Sequence, residues 1–514
     1  MSKYLKKTLE ILALIYFVLM GVVFPLFVRN GYNSMGTVKF HFFEYAGTML
    51  LVMLFFSMLY LLWNKDSRQP FSVTDWFMLG YTVVVCLSTV SSPFRRDGDF
   101  GDAIWGSQGW YMGFVTQMLL VLIYFMMSRF FSYEKTGIYL LLIASAIVFL
   151  LGICNRFGFY PIPMEGQDAG FLSTLGNINW YCGYFAVVFP LGFALFLCTR
   201  DKWGRLLYGS YLLIGFATGM TQGSDSGFLV LFGLFAAGFL CIRDTFLARR
   251  WLFALTLFFL AGAGIGIIRL LFPDRLSYET TLMDLFTDGP VSVIGLFSTL
   301  FLIMLLEAVD KRRAISGKAW TILGVLAAGL TGALLAGYIG LVYVNTTHPL
   351  WSVPLNGHPA FTFNSDYLNG RGTTWHAGLC MFLEFPLWNR LVGIGPDCFA
   401  SYAYSSYQGV WELTEQFGEL ILTNAHNEAI TLLVNVGLWG LVTFFGAFIT
   451  LIKRAFSDRE KNAALFAATL SVCCYLIHNT VSFAQVINTP TVFLILGMAE
   501  GMLRRTRVNN DERK

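Results

Sequence analysis

His426 stands in Asn424-Ala425-His426-Asn427-Glu428, directly ahead of a long apolar stretch that contains Gly437 and Gly440. A neutral imidazole at that place could take a proton from a hydroxyl. The apolar stretch reads as a helix, and the first amides of a helix lack intrahelical partners and carry partial positive charge. Such an end attracts an anion and disfavours an imidazolium, so His426 is expected to remain neutral. The same position would also suit a histidine that merely caps an interfacial helix.

Arg371 lies in Asn369-Gly370-Arg371-Gly372-Thr373-Thr374-Trp375, just before an amphipathic pattern running to about Phe385. Arginine offers a permanently charged planar fork for phosphate oxygens. Its ordinary alternative is a surface salt bridge to Asp366 or Glu384. Asp225, in Thr221-Gln222-Gly223-Ser224-Asp225-Ser226-Gly227, falls at a hairpin between two apolar runs, where a carboxylate near lipid depth is costly and often functional. Asn177 and Asn179 open another apolar run and would serve either as helix caps or as polar ligands to a substrate. Gly393-Ile394-Gly395-Pro396 lacks the lysine and the strand–helix context of a phosphate loop and reads as a turn.

The elements that must hold these residues follow from composition. The chain is 56% hydrophobic, 17% aromatic and only 13% charged, against about 25% charged in ordinary soluble domains. Apolar runs long enough for a hydrocarbon layer recur throughout, without the alternation of a membrane β-strand. Spans are expected at 8–27, 44–63, 73–92, 110–131, 136–154, 176–198, 206–221, 226–242, 250–271, 290–307, 319–345, 425–452, 463–483 and 489–503. The fold class is therefore an all-α integral membrane protein with about fourteen transmembrane helices. With the N-terminus inside, most of the 35 lysines and arginines fall on inner segments: Lys3, Lys6, Lys7, Lys65, Arg68, Arg129, Lys135, the Arg200–Arg205 and Arg243–Arg250 stretches, Lys311–Lys318, Lys453–Lys461 and Arg504–Lys514. The excess of inner positive charge predicts both termini in the cytoplasm.

Three regions result: an N-terminal transmembrane region 1–345, one large extracytoplasmic loop 346–424 containing short helices, and a C-terminal transmembrane region with its tail, 425–514. The loop holds two basic residues, Arg371 and Arg390, against six acidic ones. Its length and aromatic content place the chemistry there, at the outer membrane–water boundary. Cys86, Cys154, Cys182, Cys198, Cys241, Cys380, Cys398, Cys473 and Cys474 have neither metal-ligand nor disulfide-framework spacing and read as small buried hydrophobes. Trp63, Trp110, Trp180 and Trp439, near span ends, read as an interfacial belt.

His426-Asn427, nine residues, Gly437, two residues and Gly440 resemble the signature of the O-antigen ligase and O-antigen polymerase superfamily. The Arg371-x-x-x-Trp375 segment, Phe385-Pro386-Leu387, Gly393-Ile394-Gly395-Pro396 and Phe399 resemble the loop segment that precedes that signature. Weaker likenesses reach Gly176-Asn177-Ile178-Asn179-Trp180-Tyr181 and Ser92-Pro93-Phe94. The resemblance implies a metal-independent glycosyltransferase that needs no cofactor and no nucleic acid. Such an enzyme takes a glycan from an undecaprenyl-pyrophosphate carrier at the outer face of the bacterial cytoplasmic membrane and joins it to a glycan, lipid or protein acceptor. It also implies His426 as base or positioning residue, Arg371 as pyrophosphate ligand, and Asn427, Trp375, Asp225, Asn177 and Asn179 as substrate-binding residues among membrane lipids. Ser224-Asp225-Ser226 departs from the family's Ser-Arg-Gly, so a second phosphate arginine is missing there; Arg156, Arg269 or Arg275 would have to replace it. The competing class is a polysaccharide or lipid-linked oligosaccharide transporter, which would place polar groups near the midplane on broken helices and show repeated halves.

Overall fold

A computed structural model describes residues 2–64, 70–96, 98–348, 355, 357–458 and 462–511. Lys65, Arg68, Arg459, Lys461 and the last three residues of the expected inner surface lie outside the described residues, as do 349–354 and 356 of the large loop. Most of the rest is helix; the strands among the described residues are Phe171–Leu172 and Gly176–Asn177, paired antiparallel with Phe171 opposite Asn177.

Each expected span coincides with a helix. Nine of the described helices are long and apolar enough to cross a membrane, while Phe114–Phe130, Asp225–Leu240 and Ala463–His478 are apolar but shorter. The chain is a multi-pass helical membrane protein. Ile178–Cys198 is the central element, with 89% of its most apolar window buried, and Ala463–His478 packs along it. At the other extreme, that window of Gly317–Thr347 is 0% buried, and Val325, Leu326, Leu330, Leu334 and Ile339 stand exposed. A helix apolar all round with no protein cover needs lipid as its solvent.

Two expected boundaries are corrected. The second span begins at Met35, nine residues before the expected start at 44, because the polar Lys39 within it is satisfied internally. Its ammonium donates to the carbonyls of Phe24 (2.6 Å) and Pro25 (3.2 Å), which end the first helix. The span expected at 463–483 stops at His478, and 479–488 is an irregular connection. That connection is rich in amides and hydroxyls, which a lipid-facing helix end would leave unsatisfied.

The largest correction concerns the helix after His426, expected to be continuous. Glu428–Asp458 is broken at Gly437 (φ 67°, ψ −171°). The Gly393–Pro396 turn fits into the break: Ile394 N–H donates to Val434 O (3.1 Å), Gly395 N–H to Asn435 O (3.0 Å), and Ser88 Oγ to Asn435 O (2.9 Å). Carbonyls that lose their helical partners thus find others. Ser92 Oγ holds the far side of the turn through Ile394 O (2.5 Å). Glycine is required at 437 twice over, by its left-handed φ and because a Cβ would meet Leu391 and Gly393 backbone atoms at 2.5–2.6 Å. Gly437→Ala is therefore expected to lower stability by more than the ~1–2 kcal/mol of a left-handed alanine. A thermal melt in detergent checks this, and Gly440→Ala, whose Cβ would meet mainly the Val436 side chain, should cost less.

Candidate active site

The outer loop has its own apolar core, in which Ala377, Met381, Phe385, Phe399 and Leu413 pack with Ala425, Ile430 and Val434 at the start of the broken helix. This packing fixes the Arg371–Glu384 helix against the His426 segment. Hydrogen bonds complete the register. Thr374 Oγ1, one turn after Arg371, donates to Ala425 O (2.9 Å), and Ala425 N–H donates to Thr431 Oγ1 (3.2 Å).

Both candidate residues are held by unusual backbone. Leu368, Asn369 and Gly370 have φ of 48°, 61° and 83°, a left-handed run that turns the chain into the Arg371 helix, and His426 itself has φ 50°. Left-handed conformations at ordinary residues persist only where surroundings over-determine them, and they gather at functional sites. His426 precedes the helix rather than lying in its first turn. Asn427 is the cap: its Oδ1 accepts from Ile430 N–H (3.2 Å) and its Nδ2 donates to Thr480 O (3.0 Å).

The 479–488 connection gathers the site. Arg371 Nε donates to Val481 O (3.1 Å) and Nη1 to Leu368 O (2.7 Å), and among the described residues Nη2 has no hydrogen-bond partner. Neither Asp366 nor Glu384 pairs with it. His426 packs edge-on to Phe483 (centroids 5.3 Å), Phe483 packs against Trp110 (5.0 Å), and Trp110 against Trp180 (5.5 Å). Trp110 and Trp180, read as interfacial, thus pack in a row behind Phe483 and His426. The imidazole nitrogens of His426 take no hydrogen bond from a described residue. Burial pulls the His426 pKa down to about 4, with the Arg371 charge contributing second. The ring is therefore neutral at physiological pH, as the sequence implied, but chiefly through burial. Burial also lowers the Arg371 pKa, and Asp225 partly offsets it without a direct ion pair.

Asp225, exposed, starts the Asp225–Leu240 helix, and Ser224, its cap, donates from Oγ to Asn179 Oδ1 (3.1 Å). Asn177 caps Ile178–Cys198 through Asn179 N–H (2.9 Å). Asn179 and Asp225 thus share one corner of the site, while Asn177 is a cap. Trp375 packs against the loop core, 5.9 Å from the Tyr367 ring. Two of the arginines considered as replacements for the missing cation are consumed. Arg156 is buried and donates to Thr221 O, Gln222 O and Ala169 O at 2.7–2.9 Å, pinning the hairpin that carries Asp225. Arg269 pairs with Glu279, Asp284 and Asp288 at 2.7–2.9 Å. Arg275 is exposed.

Sequence reasoning missed the buried polar lining. Glu428 Oε2 accepts from Ala484 N–H (2.5 Å), and Asp397 Oδ2 accepts from Ser107 N–H (2.7 Å) and Met112 N–H (3.0 Å). Both face a cavity of about 30 Å³ beside Asn424 and Phe483, room for about one water. Burial pushes the Asp397 carboxyl up to about 7 despite those amides. His478 Nε2, Asn479 Nδ2, Ser482 Oγ and Gln485 Nε2 are buried without partners. Their signal was visible as polar residues interrupting the last two apolar runs. Among the described residues no three His, Cys, Asp or Glu side chains converge as metal ligands.

The chain matches no family model, and no curated protein is significantly similar to it. The geometry of the site must therefore carry any functional reading. Among the described residues, a neutral imidazole without a hydrogen-bond partner stands near an arginine with one donor edge free, both against the same short connection. That pairing can accept a proton from one group and neutralise anionic oxygen on another.

Proposed function

We propose that this protein transfers a glycan from an undecaprenyl-pyrophosphate carrier to an acceptor hydroxyl at the outer face of a bacterial cytoplasmic membrane, as an O-antigen ligase or polymerase type enzyme. The observation that carries this reading is that Arg371, held through Nε on Val481 O, and the His426 ring, edge-on to the Phe483 ring, meet at the same short connection. In the step, the acceptor oxygen bonds to the anomeric carbon as the bond from that carbon to the pyrophosphate oxygen breaks. The hydroxyl proton passes to His426, and the departing pyrophosphate keeps the electron pair. Arg371 Nη2 supplies charge to that oxygen, and pyrophosphate is already a good leaving group, so His426 and Arg371 cover the two demands of the reaction. Asp225, whose charge acts on Arg371, can accept a hydrogen bond from a sugar or acceptor hydroxyl.

The reading includes about fourteen crossings, both termini in the cytoplasm, and the 346–424 loop outside. Asn364 is exposed on that loop. A cysteine introduced there (Asn364→Cys) is expected to react with an impermeant maleimide on intact cells; labelling only after permeabilisation would invert the topology. The break at Gly437 is the feature that would favour a transporter, because transporters bind substrate at discontinuous helices. Here the freed carbonyls are filled by Ile394 and Gly395 rather than left to an ion, which supports transfer over transport. Deletion of the gene tests the activity and its type. Loss of the polymer ladder with single units still attached indicates a polymerase, and accumulation of long carrier-linked chains indicates a ligase; unchanged envelope glycan would refute both.

A further inference from the structure

The Arg371–Glu384 and Val410–Phe417 helices enclose a groove of about 510 Å³ on the outer loop, within the range of roughly 300–1,000 Å³ typical of small-molecule sites. Asn364, Thr373, His376, Trp411, Glu412 and Gln416 are among its walls. The Val410–Phe417 helix buries Leu413 in the loop core and turns Trp411 outward, 62% exposed. That indole contributes little to the fold. His376 Nδ1 and Glu412 Oε2 lie 2.8 Å apart, which clasps the two helices and fixes the carboxylate.

We propose that this groove binds the sugar chain of the carrier-linked glycan, as an uncharged pyranose segment laid over Trp411. The inference deepens the transfer reading and rests on it. A pyranose ring has an apolar C–H face and a rim of hydroxyls. The indole offers a flat apolar surface for the first, and fixed carboxylate and amide groups offer acceptors and donors for the second. Glu412 and Glu415 disfavour an acidic glycan. They equally disfavour an anionic lipid surface, which would call for lysine and arginine around the tryptophan. Thr373 and His376 line the groove on the helix that begins at Arg371, so the groove and the proposed pyrophosphate ligand belong to one rigid element.

The test uses the full chain in lipid nanodiscs. The probe is the neutral oligosaccharide fraction released by mild acid from the producing cell's own envelope glycan. Saturable binding is expected for the wild type, weakened at least about tenfold in Trp411→Ala and largely kept in Trp411→Phe, because a flat ring remains. His426→Ala should bind the probe like wild type while losing transfer, so the groove and the chemistry fail separately. Equal binding by wild type and Trp411→Ala, or no saturable binding by wild type, overturns the proposal. So does quenching of the Trp411 emission, taken as wild type minus Trp411→Phe, by brominated acyl chains in nanodiscs, which would make the residue a membrane anchor.

Discussion

His426→Ala is expected to lower glycan transfer by about 10²–10⁴-fold, the usual contribution of a positioned acid or base, while the protein still inserts and folds. The backbone here is held by Asn424, Thr374 and Asn427 rather than by the imidazole. His426→Gln separates two roles. Glutamine can hold a hydroxyl but is a poor proton acceptor, so residual activity in that variant would mean positioning and near-complete loss would mean proton transfer. The pH profile carries a further signature. With the free-state pKa lowered to about 4, kcat/KM should show no His426 limb near neutrality and should fall only as pH approaches 4. Donor pyrophosphate arriving at Arg371 screens the second cause of that depression, so the acid limb of kcat is expected at higher pH than that of kcat/KM. Stability follows the same group. Between pH 4 and 6.5 the unfolded chain binds more protons at this histidine than the folded one, so its contribution to stability rises with pH across that window and is lost toward acid.

Arg371→Lys is expected to reduce transfer by about 10²–10³-fold, the scale seen when one preorganised donor to a developing anion is removed. Lysine keeps the charge but not the geometry. The native guanidinium spends Nε on Val481 O and Nη1 on Leu368 O, and only a fork anchored in this way presents Nη2 at a fixed place. An ammonium would satisfy either those carbonyls or the substrate. The change should therefore raise KM for the donor as well as lower kcat, and it should also lower the melting temperature, because two partly buried carbonyls lose their donors. Equal kinetics for the two proteins would remove Arg371 from the site.

The apolar spans were legible because lipid imposes length and composition on every crossing helix, and the Arg371 helix was legible from its amphipathic period. The break at Gly437 was not. The residues that make it tolerable, Ile394 and Gly395, lie far back in the chain and donate through backbone amides, which leave no side-chain pattern. For the same reason Trp110 and Trp180 read as belt residues: a tryptophan near a span end looks alike whether it faces lipid or a neighbouring Phe483. Arg156 and Arg269 were plausible phosphate ligands until their partners were visible, and those partners are carbonyls and carboxylates from other segments. Glu428 and Asp397 went unremarked because their burial arises from loop packing that no local window encodes.

Purified protein in nanodiscs, given carrier-linked glycan and acceptor, tests the central claim most directly when released undecaprenyl pyrophosphate and coupled glycan are quantified together. One carrier pyrophosphate should appear for each glycan joined, with both signals lost in His426→Ala. Coupling that proceeds undiminished in that variant, or movement of intact carrier-linked glycan across the bilayer without release of the pyrophosphate, would contradict transfer.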